Sequence, residues 1–348
     1  MREHVITEGH EIASEIVVGR AMTDELVLRV ADRGYERVAL LCQPRTRDLA
    51  ERYADAFAAQ GFAASGYAVP DGEEAKQMSV VEDVYRHLNE HRFTRSDAII
   101  GVGGGSLTDV AGFIAGTYLR GIDAMYVPTT LLGAVDAAIG GKTGVNVDGK
   151  NLAGVFKHPW LVVIDIDTLD ALPEERRRDG SAEALKTGFI ADMTIVEDYE
   201  TSGLEVDLET IVNRSVAVKA SVVNDDFTEQ GRRAILNYGH TVGHGIESAT
   251  GRSHGESVAI GMVAAGGAST HALGFTGQGR QVEALGKVGL PTTAPDADED
   301  ALRSYMLLDK KRDAAGLNMV LLRDFEAPEV LTVDDATVRA ALASIGVG

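Results

Sequence analysis

The residues best suited to chemistry lie between Arg233 and Glu256, where the sequence reads RAILNYGHTVGHGIESATGRSHGE. If this stretch is a helix as far as about Ser248, spacings of four, three and four place four polar side chains on one face: Arg233, Asn237, His240 and His244. A third histidine, His254, follows in a loop that contains glycine. Two or three imidazoles with a carboxylate are the ligands expected of a zinc-type site. The alternative is that these are structural histidines.

A glycine-rich turn between a strand and a helix is a second candidate site. The apolar run DAIIGVG (97–103) leads directly into GGGSLTDVAGFIAG (103–116). Backbone N–H groups at such a helix start can bind phosphate, and glycine permits a close approach of the ligand. The pattern is not GxGxxG, so it does not support a Rossmann fingerprint. A tight structural turn is the alternative.

An earlier turn, PDGEEAK (70–76), adds to this second site. It places carboxylates and a lysine at the entry to a predicted helix, where carboxylates can bind ribose hydroxyls and a lysine can bind phosphate oxygens. The two turns together indicate a dinucleotide.

Charged and polar residues also interrupt the apolar, glycine-rich stretch 117–151: Arg120, Asp136, Lys142, Lys150 and Asn151. Exposure to solvent alone does not explain charged residues within such apolar sequence. Thr129 and Thr130 end a predicted strand there, at the end where α/β folds bind ligands. A surface loop with lysines is the alternative. Further along, Glu183 and Lys186 are three residues apart and should share a helix face. Lys219 and the cluster Asp309-Lys310-Lys311 supply more cationic candidates, although the cluster also fits a solvated helix end.

The elements that position these residues follow two patterns. Up to about residue 170, predicted strands (14–19, 37–42 and 97–103) alternate with predicted helices (46–60 and 75–91), which is typical of a doubly wound parallel sheet. Beyond about residue 171, long helical stretches dominate, at 181–200, 207–223, 229–248, 255–273 and 278–288. We therefore expect an α/β domain over 1–170 and a mostly α domain over 171–348.

Composition limits the class of partner. The chain has 348 residues, 45% of them hydrophobic, and a formal net charge of −20, which argues against nucleic acid and anionic membranes as partners. It has one cysteine, Cys42, so no intramolecular disulfide can form. We find no signal-peptide pattern and no apolar run near 20 residues. These features predict a soluble cytoplasmic protein.

Taken together, the motifs resemble those of the 3-dehydroquinate synthase family, within the sugar-phosphate cyclase superfamily that is related to iron-type alcohol and glycerol dehydrogenases. The resemblance runs nearly end to end, through PDGEEAK, GGGSLTDVAGF, YLRG, VPTTLLGAVDAAIGGKTGVN, GKN, SAEALKTGFI, LNYGHTVGHGIE, HGES and DKK. Thr108, Phe227 and a loop from Asn146 to Lys150 that is one residue shorter than a common form depart from the pattern. These departures concern fine specificity rather than chemistry, because none of them touches a metal ligand that the resemblance implies.

The resemblance implies a dehydroquinate synthase-like fold, NAD, one divalent metal (Zn or Co) and a homodimer. The metal ligands that it implies are Glu183, His240 and His254. The NAD contacts that it implies are Asp71, Gly72, Glu73, Lys76, Gly104, Gly105, Ser106, Asp109, Thr129, Thr130, Lys142, Lys150, Thr168, Leu169, Asp170 and Ala171. The substrate-pocket residues that it implies are Arg120, Asp136, Lys142, Asn151, Lys186, Lys219, Arg233, Asn237 and His244, with one of Lys310 and Lys311.

The reaction implied is the conversion of an anionic sugar phosphate, 3-deoxy-D-arabino-heptulosonate 7-phosphate, to 3-dehydroquinate and phosphate in the shikimate pathway. It combines transient oxidation by NAD, elimination of phosphate, re-reduction and an intramolecular aldol closure, with His244 as the group that moves a proton. Aminodehydroquinate synthase, another sugar-phosphate cyclase, a metal- and NAD-dependent polyol dehydrogenase and a non-catalytic binding protein are the alternatives.

Overall fold

The computed structural model describes residues 1–310 and 317–348, with side chains up to Met306 and from Leu317 onward. One of Lys310 and Lys311 was expected at the substrate. Both lie outside the residues whose side chains are described. The strands are β1 (Arg2–Glu8), β2 (Glu11–Gly19), β3 (Arg37–Cys42), β4 (Ala63–Ala68), β5 (Ala98–Gly103), β6 (Asp123–Pro128), β7 (Lys142–Val145), β8 (Ala153–Phe156), β9 (Leu161–Asp165), β10 (Asn318–Asp324) and β11 (Ala327–Thr332).

The helices alternate with these strands at first and then predominate. They are α1 (Thr23–Arg33), α2 (Arg47–Ala59), α3 (Met78–Glu90), α4 (Gly105–Thr117), α5 (Ile166–Asp170), α6 (Glu174–Ala191), α7 (Met193–Ser202), α8 (Leu208–Asp225), α9 (His240–Thr250), α10 (His254–Leu273), α11 (Gln278–Lys287), α12 (Glu299–Lys310) and α13 (Asp335–Ser344).

Two compact units make up the chain. The first comprises Met1–Leu172 with Leu208–Thr228, and the second comprises Pro173–Asp207 with Glu229–Gly348. Helix α8 thus groups with the first unit. The division into an NAD-binding domain, 1–170, and a metal- and substrate-binding domain, 171–348, remains a prediction.

The first unit is built on a seven-stranded sheet with strand order β1-β2-β9-β6-β5-β3-β4. Strand β1 is antiparallel to β2, and the other neighbouring pairs are parallel. Strands β3, β5, β6 and β9 are almost continuously buried, which explains their unbroken apolar sequences, since crossover helices cover both faces of such sheets. The predicted parallel α/β fold is confirmed, while β1 and α1 were not predicted.

Strand β1 forms one edge of this sheet, and α8 lies beside it. The side chain of Asn224, near the end of α8, accepts a hydrogen bond from the backbone N–H of Thr7 at 2.7 Å. His4, on the same strand, pairs through Nε2 with Asn213 Oδ1 of α8 at 2.9 Å. These contacts tie α8 to the sheet.

The second unit is mostly helical, as predicted, with one antiparallel hairpin formed by β10 and β11. Helix α10 is buried along nearly its whole length and packs against α6, α9, α13 and β10. Its sequence, HGESVAIGMVAAGGASTHAL, is rich in glycine and alanine, so neighbouring helices can approach its backbone closely. No helix in the described part of the chain is both long and apolar enough to span a membrane.

Candidate active site

Three side chains from three helices of the second unit meet at one point. Glu183 lies on α6, and His240 and His254 are the first residues of α9 and α10. The Nε2 atoms of His240 and His254 lie 3.4 and 3.2 Å from Oε1 of Glu183. One ligand atom from each residue lies within 4.8 Å of the other two, which is close enough for a single ion.

Both histidines are oriented through their second ring nitrogen. His240 Nδ1 lies 3.2 Å from the backbone carbonyl of Tyr238, and His254 Nδ1 lies 3.3 Å from Oε2 of Glu247. A carbonyl and a carboxylate accept hydrogen bonds, so each Nδ1 carries the proton and donates it. This leaves each Nε2 facing Glu183, in the arrangement typical of metal-binding histidines.

Glu247 was not among the predicted site residues. A signal for it exists in the sequence, because it is the only acidic residue in the helix HTVGHGIESAT.

The charges of the cluster suit a divalent cation. Burial opposes ionisation of Glu183, yet Lys186 and the hydrogen bond from His254 hold the pKa of this carboxyl well below its usual range. Burial, reinforced by Lys186, lowers the pKa of His240 to about 3, so its imidazole is neutral. Burial acts against the charge on His254, but its bonds to Glu183 and Glu247 raise its pKa to about 10. A bound cation would take the place of that proton.

The donor set also fits. A buried carboxylate and two imidazole nitrogens form the two-histidine, one-glutamate set of catalytic zinc sites, which leaves further positions open for a ligand. Lys186, three residues after Glu183, forms an ion pair with it inside the protein, as their shared helix face predicts.

The predicted continuous helix over 229–248 is wrong. A 3-10 turn covers Arg232–Asn237, and α9 begins only at His240. Between them, Gly239 has φ 80°, a left-handed conformation that interrupts the helix. A Cβ atom at Gly239 would lie 2.8 Å from the backbone N of Met262, so only glycine fits there. His240 and His244 therefore share a helix face, and Arg233 and Asn237 belong to the preceding turn.

His254 was expected in a loop and instead begins α10. Ser253 caps this helix, since its Oγ accepts a hydrogen bond from the N–H of Glu256 at 3.3 Å while Glu256 Oε2 accepts one from the N–H of Ser253 at 3.1 Å. Asp179 of α6 reinforces the cap, because its Oδ1 accepts hydrogen bonds from Ser253 Oγ at 2.5 Å and from the N–H of Gly255 at 2.8 Å.

The remaining residues of the predicted histidine stripe differ in their burial and in their partners. The ring of His244 lies 5.2 Å from that of His240 and 6.2 Å from that of His254, measured between centroids, and its side chain is exposed. Arg233 is buried. Asn237 donates a hydrogen bond to Oε1 of Glu229 at 2.8 Å, which makes Glu229 a second neighbour that was not predicted.

In the first unit, the predicted nucleotide residues gather at the carboxyl ends of the strands. Gly104 precedes α4 at the end of β5, and the N–H of Thr129, after β6, donates to the carbonyl of Gly103 at 3.0 Å. A Cβ at Gly104 would come 3.1 Å from Cγ2 of Thr130, so the two loops pack closely. Gly105 and Ser106 open α4, and Thr168, Leu169, Asp170 and Ala171 lie in and just after α5, beyond β9.

Gly72 and Glu73 lie in a 3-10 turn that ends at Lys76, and Asp71 directly precedes it. Lys76 is buried and donates to Oδ2 of Asp109 at 2.5 Å and to Oδ1 of Asn151 at 2.7 Å. Burial raises the pKa of Asp109, and Lys76 opposes that effect. The structure thus brings together two predicted nucleotide residues and one predicted substrate residue.

The other predicted substrate residues of this unit occupy three places. Lys219 of α8 is buried and donates to both the carbonyl and the carboxylate of Asp136. Lys142 begins β7, and Lys150, which was predicted as a nucleotide residue only, lies in the exposed loop between β7 and β8. Arg120 follows α4 in an exposed turn with φ 68°, and no hydrogen bond among the described residues joins it to the others.

Solved structures with this fold include cyclases and dehydrogenases. A 2-deoxy-scyllo-inosose synthase complexed with carbaglucose-6-phosphate, NAD+ and Co2+ has a TM-score of 0.89 at 26% identity, over 98% of this chain and 99% of the other. The 2-epi-5-epi-valiolone synthase of Streptomyces hygroscopicus subsp. jinggangensis 5008, with NAD+ and Zn2+ bound, has a TM-score of 0.86 at 25% identity, over 98% of both chains. A probable glycerol dehydrogenase from Sinorhizobium meliloti 1021, at 18% identity, shares the fold, with a TM-score of 0.67 over 96% of each chain.

Sequence comparison narrows this class. The family model for the 3-dehydroquinate synthase N-terminal region matches residues 66–179, and that for the C-terminal region matches residues 180–312. The 3-dehydroquinate synthase of Thermobifida fusca (strain YX) is 43% identical, over 91% of this chain and 89% of that protein. The one from Arthrobacter sp. (strain FB24) is 39% identical, over 93% and 92%. The chain belongs to the 3-dehydroquinate synthase family and is an enzyme.

Proposed function

We propose that this enzyme converts 3-deoxy-D-arabino-heptulosonate 7-phosphate to 3-dehydroquinate and phosphate, with NAD and one divalent metal, Zn or Co. The observation that carries the proposal is the buried cluster of Glu183, His240 and His254, whose histidines are oriented by Tyr238 and Glu247, in a chain of this family. When bound, NAD supplies a reversible hydride acceptor and the metal supplies a Lewis acid.

The chain's own residues then have separate tasks. Glu183, His240 and His254 hold the metal, and Lys186 stabilises the charge of Glu183. The turn 71–76, the start of α4 with Asp109, Thr129, Thr130, Lys142, Lys150 and the 168–171 segment hold the nucleotide. The residues assigned to the substrate are Arg120, Asp136, Lys142, Asn151, Lys186, Lys219, Arg233 and Asn237, whose cations make charge-assisted bonds to carboxylate and phosphate.

His244 is the group that moves a proton. It lies one turn beyond His240 on the same helix face, with an exposed ring, so it can reach a substrate hydroxyl beside the metal cluster. In the elimination, the leaving phosphate itself takes the neighbouring proton. This step and the later ring closure therefore need mainly orientation, which the cationic residues provide.

The test is direct. Purified enzyme, NAD and Zn or Co are incubated with the heptulosonate phosphate, and phosphate release and the carbon product are followed by NMR, while absorbance reports reduced nicotinamide. We expect stoichiometric phosphate and 3-dehydroquinate with no net NADH over many turnovers. Accumulation of NADH in step with substrate consumption would instead identify a polyol dehydrogenase.

We also propose that the enzyme is a cytoplasmic homodimer. Its single cysteine, Cys42, is buried, which suits a reducing compartment. Light scattering coupled to gel filtration tests the dimer, which requires twice the chain mass of 36.9 kDa.

A further inference from the structure

Two segments of the first unit that carry proposed ligand-binding residues are joined by their backbones. One is the 3-10 turn Gly72–Lys76, which carries the nucleotide residues Glu73 and Lys76. The other is the loop 146–151, which carries Lys150 and Asn151. The backbone N–H of Asn146 donates to the carbonyl of Lys76 at 2.8 Å, and an isolated β-bridge pairs Gln77 with Asn146.

The side chain of Asn146 completes the joint. Its Nδ2 donates to Oε1 of Glu73 at 2.8 Å, and its Oδ1 accepts a hydrogen bond from the backbone N–H of Asn151 at 2.9 Å. A carboxylate can only accept and a backbone N–H can only donate, so both contacts agree on the orientation of the amide. One side chain therefore binds the turn and the far end of the loop at the same time.

Lys76 fixes the side chain of Asn151 in turn. Because an ammonium group only donates, the atom of Asn151 that faces it must be Oδ1, at 2.7 Å. The two N–H donors of Asn151 then face away from Lys76, and no residue in the described part of the chain accepts a hydrogen bond from them. They are available to an anionic ligand.

Two residues of the loop have a left-handed backbone conformation. Asp148 and Asn151 have φ values of 54° and 55°, which aspartate and asparagine adopt more readily than other non-glycine residues. The bonds made by Asn146 and Lys76 hold Asn151 in this conformation.

We infer that Asn146 is a positioning residue that locks the loop 146–151, which carries one proposed nucleotide residue and one proposed substrate residue, to the nucleotide-binding turn 72–76, so that the two move as one piece. The assignment of a ligand to each segment rests on the proposed function, whereas the lock itself rests on the hydrogen bonds. Loss of the Asn146 side chain should free the loop and misplace the donors of Asn151 without touching the metal cluster.

Limited proteolysis tests the lock without any substrate. Lys150 is an exposed trypsin site within the loop, and cleavage there releases a fragment of residues 1–150 that mass spectrometry identifies. In Asn146→Ala, which removes two hydrogen bonds, we expect this fragment to form about tenfold faster than in the wild type. Asn146→Asp keeps the acceptor for Asn151 but faces Glu73 with a second carboxylate, so trypsin should also cleave this variant faster than the wild type. It provides the test if the alanine variant folds poorly.

The matched control is Asp148→Asn, in the same loop. Asp148 is exposed, makes no hydrogen bond or ion pair among the described residues, and asparagine tolerates its positive φ. This variant should cleave at the wild-type rate. Equal rates for Asn146→Ala and the wild type, or a rate for Asp148→Asn as high as that of Asn146→Ala, would overturn the inference.

Kinetics then connect the lock to the ligands. In Asn146→Ala we expect kcat/KM for the heptulosonate phosphate to fall about tenfold, mainly through KM, with metal content unchanged. If Asn146→Ala were cleaved fast but kept the wild-type KM, Asn146 would join the two segments without positioning the substrate. If the wild type fails to release phosphate at all, the proposed function is wrong, and the proteolysis result still decides the lock.

Discussion

Gly261 lies directly against the backbone of Gly239. A Cβ atom built at Gly261 would be only 2.0 Å from the carbonyl oxygen of Gly239, and 2.7 Å from the backbone N of Gly243. Helix α10 therefore touches the start of α9 backbone to backbone. His240 follows Gly239 immediately, so this contact sets the position of a proposed metal ligand.

We expect Gly261→Ala to be strongly destabilising for this reason. The new methyl group meets backbone atoms that cannot move aside, so the free energy of unfolding should fall by about 3 kcal/mol, at the upper end of the usual range for overpacking. Metal affinity should fall as well. Chemical denaturation and metal titration measure the two effects.

Gly286→Ala in α11 is the matched control. A Cβ atom there meets nothing within 4 Å, and the helix should gain up to about 1 kcal/mol from the replacement. If Gly261→Ala and Gly286→Ala had the same free energy of unfolding, the close backbone contact at Gly261 would not be what makes its substitution destabilising.

Metal binding should require Glu183, whereas Glu247 should only strengthen the affinity for the metal. Glu183→Ala removes one of three proposed ligands, so we expect substoichiometric metal by elemental analysis and no activity. Glu247→Gln keeps the ligands but weakens the partner of His254 Nδ1, so metal affinity should fall about 10–100-fold. Full metal occupancy in Glu183→Ala would refute the ligand assignment.

His244 and Arg233 should separate chemistry from binding. His244→Ala should keep its metal and bind substrate, while the chemical step slows by about 10²–10⁴, as expected for a lost proton-transfer group. Arg233→Ala should mainly raise the substrate KM, because a cation that holds an anion acts in the ground state too. Single-turnover kinetics and metal titration decide between them. Loss of metal from His244→Ala would show that our division of tasks is wrong.

His87 should make stability depend on pH near neutrality. It lies on α3 beside Ser65 Oγ at 3.3 Å, the ring of Tyr67 and the ring of His91, and burial together with His91 lowers its pKa. The unfolded chain therefore binds a proton at a pH where folded His87 does not, so stability should decline as pH falls through about 6.5. In His87→Gln this decline should be shallower.

Thermal unfolding between about pH 5 and 7.5 measures the effect. His10→Gln, in the exposed turn between β1 and β2, is the control and should follow the wild-type curve. A His87→Gln curve that coincides with the wild type would contradict this account.

Much of the site could be predicted because spacing within one helix is a local property. Glu183 and Lys186 are three residues apart on α6 and do form an ion pair. The predicted helix through Arg233 failed for a non-local reason, since the break at Gly239 is set by Met262 and Gly261 of another helix. No periodicity within residues 233–248 carries that information.

Partners that do not share one helix were also missed. Glu229 and Asn237 are eight residues apart and meet across a turn, and Glu247 and His254 are seven residues apart and meet across a helix end. Strand β1 was missed because its sequence, REHVITE, is mostly polar, and its place depends on pairing with β2 and packing against α8. The buried parallel strands β3 and β5, by contrast, are almost entirely apolar, so their sequences alone predict them.

The cap that Asp179 provides has a consequence for how the metal is acquired. Asp179 and Glu183 are one helical turn apart on α6, and Asp179 holds the N-terminus of α10 where His254 begins. The distance between two proposed ligands is therefore set by packed helices before any ion arrives. The apoenzyme should already be preorganised, so binding pays little ordering entropy, unlike zinc fingers that fold only with their metal. Chelation should leave a folded protein that regains its ion without refolding.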